Sequence, residues 1–143
     1  GQTTLLGLGG GDTLTGGTDS DSLSGGTGDD EVNGGAGDDV LSNETGDDTL
    51  NGDAGNDTIS GGDGDDEVNG GADNDEILIT YSGGTLTVDA GLGTDRVTID
   101  DSGLVIASSD NVDGGGGAYL FAAAPLLGGP RTAATRYTSR ASS

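Results

Sequence analysis

Eight aspartates recur at every ninth residue: Asp12, Asp21, Asp30, Asp39, Asp48, Asp57, Asp66 and Asp75. A carboxylate can serve as a general acid or base, as a nucleophile, or as an oxygen ligand for a metal. Spacing separates these roles. A paired-carboxylate site of the glycosidase kind occurs once in a molecule. Here acidic pairs such as Asp29/Asp30 and Asp38/Asp39 recur in four of the eight blocks, which points to metal or solvent instead. The remaining inventory narrows the metal. The 143 residues include no Cys, His, Met or Trp. Thiolate and imidazole ligation, disulfides, thiol redox chemistry and a Ser–His dyad are therefore excluded. Hard oxygen donors remain, carboxylate and main-chain carbonyl alike, and these select calcium over zinc or copper.

The charge balance calls for a cation as well. Residues 7–78 hold 20 acids and no base, and the whole chain carries a formal charge of −22. Such a surface repels nucleic-acid phosphates and anionic membranes, so neither is an expected partner. No apolar run approaches the ~20 residues needed to span a bilayer, so membrane insertion is not expected.

The segments that must position these carboxylates are themselves periodic. From Gly7 the chain divides into eight blocks of nine, without insertion, ending at Leu78. Position six is always Asp. Position eight is always aliphatic: Leu14, Leu23, Val32, Leu41, Leu50, Ile59, Val68 and Ile77. With 32 Gly and only 29% hydrophobic residues, composition alone would read as disorder. Two chemically opposite residues held at fixed offsets contradict that reading. Gly, Asn and Asp weaken strands, so a strand is expected over only about the last three residues of each block. Alternation around position eight sends one apolar side chain inward, while Thr13, Ser22, Glu31, Thr49 and Glu67 face out. Two such units would close a coil of eighteen residues. Stacked coils would then form two parallel sheets with the aliphatic residues between them.

The blocks, for example GGTGDDEVN (25–33) and GGAGDDVLS (34–42), resemble the G-G-x-G-x-D-x-U-x nonapeptide of the RTX, or haemolysin-type, calcium-binding proteins. This resemblance implies an all-β fold, a right-handed two-sheet parallel β-roll. It implies that Ca²⁺ sits between successive turns, held by the position-six aspartates. One row would contain Asp12, Asp30, Asp48 and Asp66, and the other Asp21, Asp39, Asp57 and Asp75. The carbonyl ligands it implies lie at positions two and four: Gly17, Gly26, Gly28, Gly35, Gly37, Gly46, Gly55, Gly62, Gly64 and Gly71. Four turns per row leave three gaps, hence about six ions. The resemblance further implies a structural module of a secreted, extracellular bacterial protein, exported by a type I exporter and folding on calcium outside the cell. The alternative it carries is the C-terminal calcium module of a secreted protease, lipase or epimerase. Neither HExxH nor GxSxG occurs here, so no enzyme activity is expected of these residues. Departures from the pattern fall at Leu8, Asn43, Glu44 and Asp53, and at Asp19 and Asp73 in position four. Tight metal geometry is least assured at those turns.

Competing motifs are weaker. Residues 65–76 nearly fit an EF-hand loop, but Glu67 and Ala72 break it and no helix-forming segment flanks it. The sequons at Asn43 and Asn56 read as ordinary repeat residues. Beyond the array, 77–81, 85–88, 96–99 and 104–106 read as short strands, and AGLGTDRVT (90–98) is a ninth, looser copy. The expected organisation is a lead-in (1–6), a roll (7–78), a β cap that includes Tyr81 (79–113), and a disordered, low-complexity tail (114–143). GQTTLLG carries neither an initiating Met nor a secretory signal, as expected of a fragment.

Overall fold

The computed structural model describes residues 1–81, 86–101, 111–113 and 120–123. These form thirteen strands and no helix. In chain order they are β1 (Thr4–Gly9), β2 (Thr13–Gly17), β3 (Ser22–Thr27), β4 (Glu31–Ala36), β5 (Val40–Ser42), β6 (Thr49–Ala54) and β7 (Thr58–Ser60). Then follow β8 (Glu67–Ala72), β9 (Glu76–Tyr81), β10 (Thr87–Asp89), β11 (Arg96–Asp101), β12 (Asn111–Asp113) and β13 (Leu120–Ala123). Odd-numbered strands build one parallel sheet and even-numbered strands the other. The chain therefore crosses between sheets at each turn and returns to the same sheet every second strand. In the array the register is eighteen residues, as in Leu23↔Leu41 and Leu50↔Val68. This is the parallel two-sheet solenoid that the nine-residue period requires.

From β2 to β9 each strand begins at position seven of its block, just after the aspartate. Position eight then points between the sheets. Leu23, Val32, Leu41, Leu50, Ile59, Val68 and Ile77 are almost wholly buried, and Leu14 is only slightly less so. Val88 and Val97 extend the same two columns beyond the array. With one aliphatic residue per nine the core is a thin ribbon, and most of the inter-coil contact is backbone.

Strand length differs from the sequence expectation. β3, β4, β6 and β8 run on through positions one to three, so Gly and Asp become strand residues. Stacking overrides propensity here, because identical positions of successive coils pair their N–H and C=O groups, as in Gly35↔Asp53 and Asp53↔Gly71. Within the array, β5 and β7 stop after three residues, beside Asn43-Glu44 and Gly61-Gly62. Among the described residues, three that are not glycine have positive φ, namely Leu8 (79°), Asp53 (74°) and Asp73 (79°). All three stand where the repeat places glycine, and the coil path is kept at their expense.

Beyond the array the strands continue both sheets: β9, β10 and β11 stack in order on β7, β8 and β9. The strand expected at 104–106 lies outside the described residues. So does the tail, except that Leu120–Ala123 forms β13 and pairs with β11.

Truncation of Leu50 to Ala should lower the stability of the calcium-loaded chain by about 2–5 kcal/mol, through lost burial. Asp53→Gly should raise it by about 1 kcal/mol by relieving the positive φ. Asp53→Asn removes the same charge but keeps the backbone strain, and should gain less. Urea melts at saturating calcium measure all three.

Candidate metal centre

Alternation along each strand sets the surroundings of the aspartates. Position eight is inward, so positions six and one, two residues to either side, are inward too. The position-six side chains therefore turn beneath the turns and into the roll. Asp21, Asp30, Asp39, Asp48, Asp57, Asp66 and Asp75 are each no more than 3% exposed, and Asp12 is half-buried. Ionised carboxylates are rarely found at such depth unless paired.

From the second turn of each row onward, one carboxylate oxygen is accounted for: Oδ1 accepts a hydrogen bond from the main-chain N–H of the aspartate one coil earlier. Asp21 Oδ1 accepts instead from Thr3 N–H, at 2.6 Å. In the first row Asp12 donates to Asp30, Asp30 to Asp48 and Asp48 to Asp66, at 2.8, 2.9 and 3.1 Å. In the second, Asp21 donates to Asp39, Asp39 to Asp57 and Asp57 to Asp75, at 2.6, 2.8 and 2.9 Å. The structure thus brings all eight sequence-identified aspartates into the two expected files. The second file does not stop at Asp75: its N–H donates to Asp95 Oδ1 at 3.0 Å, adding a fifth carboxylate from the looser ninth copy.

In six of the eight array aspartates, and in Asp95, the other oxygen is orphaned. Oδ2 of Asp12, Asp30, Asp39, Asp48, Asp57, Asp75 and Asp95 is buried without a hydrogen-bond partner. Those of Asp12, Asp30, Asp39, Asp57 and Asp75 each face the first glycine of their own block. A methyl group added at Gly7 would lie 2.5 Å from the Gly25 carbonyl oxygen and 2.7 Å from Asp12 Oδ2. At Gly34 the same point is 2.6 Å from Asp39 Oδ2 and 2.8 Å from the Gly52 carbonyl oxygen. Gly16 and Gly52 repeat the arrangement with Asp21 and Gly34, and with Asp57 and Gly70. A carboxylate oxygen and a carbonyl oxygen therefore share a pocket that a Cβ would fill, which explains the glycine at position one. In one block Asn43 occupies that position, and its Oδ1 accepts from Gly25 N–H at 2.8 Å.

Sequence reasoning did not single out these position-one carbonyls. The glycines it did name stack along the coil axis. Gly26 lies over Leu8, Gly35 over Gly17, Gly62 over Glu44 and Gly71 over Asp53 at position two. At position four, Gly28 lies over Gly10, Gly37 over Asp19, Gly46 over Gly28, Gly55 over Gly37 and Gly64 over Gly46. A Cβ on any of these would strike main chain of the coil below. Two of their carbonyls already accept main-chain N–H groups: Gly26 from Glu44 and Gly71 from Leu92.

The donor set fits calcium. Among the described residues no three acidic side chains converge. The carboxylates stand in single file, so an ion held between coils would meet carboxylates of adjacent turns and would need main chain or water to complete six to eight oxygens. A model of the RTX calcium-binding nonapeptide repeat matches residues 6–41 and 43–77, in four copies. The chain belongs to that family. No curated protein and no solved structure matches it significantly. RTX repeats bind calcium, and the orphaned Oδ2 atoms are where this RTX array has negative charge without compensation.

The protonation behaviour of the calcium-free RTX array follows from that geometry. Burial raises the carboxyls of Asp39, Asp48 and Asp95 above the usual carboxylate range, against the lowering effect of the N–H group each accepts from. Burial, then neighbouring acids, pushes Asp57 and Asp66 up to about 6 and Asp75 up to about 7. Among the described residues Arg96 is the only basic side chain, and it pairs with Glu76 on the surface at 3.1 Å. In each case the folded state holds a proton that the unfolded chain, titrating near 3.8, has released. Stability without metal therefore falls as pH rises from about 4 to about 7. Calcium-free protein should gain β signal on acidification from pH 8 to about 5. With saturating calcium, far-UV circular dichroism should change little over the same range.

Proposed function

We propose that the chain is a calcium-binding structural module of a secreted bacterial protein, exported unfolded through a type I exporter and folding on Ca²⁺ outside the cell. The observation that carries this reading is the file of buried, unpartnered Oδ2 atoms in an array with 20 acids and no base. A chain so charged, with one aliphatic residue per nine, has little reason to compact until a cation enters. Binding free energy then becomes folding free energy. Ions lie between successive position-six aspartates of each row, three in the first and three in the second among the eight array aspartates. Asp30, Asp48, Asp39 and Asp57 each bridge two ions, and Asp12 serves one. The role is non-catalytic, because the acids are a repeated set facing metal or solvent and, among the described residues, no nucleophile is paired with a base.

Affinity in the extracellular-module range, about 10⁻⁴–10⁻³ M, suits a chain that must stay unfolded in a low-calcium cytosol. Calcium titration followed by far-UV circular dichroism should show a coil-to-β transition, and magnesium at equal concentration should not. Identical spectra in chelator and in calcium would contradict the proposal. Asp48→Ala and Asp57→Ala should each remove two ions, whereas Asp12→Ala should remove one. Equal losses from central and terminal variants would rule out shared ligands between coils. Assays on protease, lipase and polysaccharide substrates in calcium should show no turnover.

A further inference from the structure

Two array aspartates end their rows by sequence, Asp66 in the first and Asp75 in the second. The structure makes them unlike. Beyond Asp66 the next coil supplies Leu86 at position six and Ile79 at position one, both buried. At Gly61 the point that lies beside a carbonyl oxygen elsewhere lies 2.9 Å from Ile79 Cδ1, with Asp66 Oδ2 3.4 Å away. Carbon replaces oxygen, and the first row is plugged. The chain also takes seven residues from Ile79 to Leu86, where Gly61 to Asp66 takes five, so the two-residue insertion of this coil falls in the first-row turn.

The second-row turn escapes it. Ala90 to Asp95 is again five residues, although this copy lies outside the matched repeats. Its features are those of the regular turns. Gly91 and Gly93 have φ of 85° and 144°, Thr94 N–H donates to Asn74 Oδ1 at 2.8 Å, and Val97 is fully buried. A methyl group at Gly70 would lie 2.5 Å from the Ala90 carbonyl oxygen and 2.6 Å from Asp75 Oδ2, the same oxygen pair found at Gly34. Asp75 and Asp95 are each 3% exposed, and Oδ2 of each is buried without a partner.

We propose that the interval between Asp75 and Asp95 is a further calcium site, the fourth of the second row, and that the first row closes at Asp66 with no counterpart. This rests on the calcium-binding reading above and extends it to a coil that the nonapeptide pattern does not reach. The rows are then unequal, with three ions against four.

Native mass spectrometry of the calcium-saturated chain tests this directly. Wild type should carry seven ions, Asp66→Asn six, Asp75→Asn five and Asp95→Asn six. Asparagine keeps Oδ1 as the acceptor for the preceding N–H, so coil stacking is retained, and circular dichroism at saturating calcium checks it. Equal losses from Asp66→Asn and Asp75→Asn would overturn the proposal, as would an unchanged count in Asp95→Asn. If Asp95→Asn does not fold, the Asp66 and Asp75 comparison decides alone. A wild type that binds six ions, indifferent to Asp95, defeats this inference only. A wild type that binds none defeats the proposed function itself.

Discussion

A file of carboxylates buried under the turns is the constraint on which the rest of this molecule depends. Asp30, Asp39, Asp48, Asp57, Asp75 and Asp95 each have one oxygen fixed by the N–H of the preceding coil and one left bare. Burial makes the bare oxygen costly, since an uncompensated charge in a low-dielectric interior loses several kcal/mol of hydration. Glycine at position one, where it occurs, leaves room for that oxygen and admits the carbonyl beside it. At Gly26, Gly28, Gly35, Gly37, Gly46, Gly55, Gly62, Gly64 and Gly71 the coils are too close for a Cβ. The same atoms that would be a defect in an ordinary core are oxygen donors of the kind a hard cation would take.

Adjacent coils are joined by a second set of side-chain bonds of opposite polarity. At position six the later residue's carboxylate accepts from the earlier coil. At position five the earlier side chain accepts from the later coil, as when Asp47 N–H bonds Asp29 Oδ1 and Asn56 N–H bonds Asp38 Oδ1, at 3.0 and 2.8 Å. Outside the even-numbered sheet, Asn33, Asn51 and Asn69 form an amide ladder with 2.7 Å bonds. Neighbouring coils are thus clamped from inside and outside the turn, which compensates for an apolar column only one residue wide.

The two-sheet fold, its eighteen-residue register and the membership of both aspartate rows were legible in the sequence, because the period is unbroken from Gly7 to Leu78. Strand length was not, since local propensity says nothing about pairing between identical positions of stacked coils. The departures at Leu8, Asp53 and Asp73 were visible as exceptions. Whether the backbone would yield at them was not, and it does not yield. The position-one carbonyls were missed because glycine there reads as a turn former, when its role is to leave a space. Asp95 sits in a copy whose position one is Ala90, and the row it joins becomes visible only when the two-residue insertion is assigned to the opposite turn.

Stacking fixes the molecule as a ruler. Successive coils are spaced by the ~4.8 Å of paired strands, so eighteen residues add about 5 Å of length, whereas a helix of eighteen residues spans about 27 Å. Length can grow or shrink only in those graduations. Removing nine residues would move every later strand to the other sheet and set the asparagines of one face, Asn33, Asn51 and Asn69, against the serines of the other, Ser24, Ser42 and Ser60. Removing eighteen leaves each ladder in step. Related chains should therefore differ in array length by whole coils, and the reach of whatever such a roll holds apart would be quantised by the strand spacing.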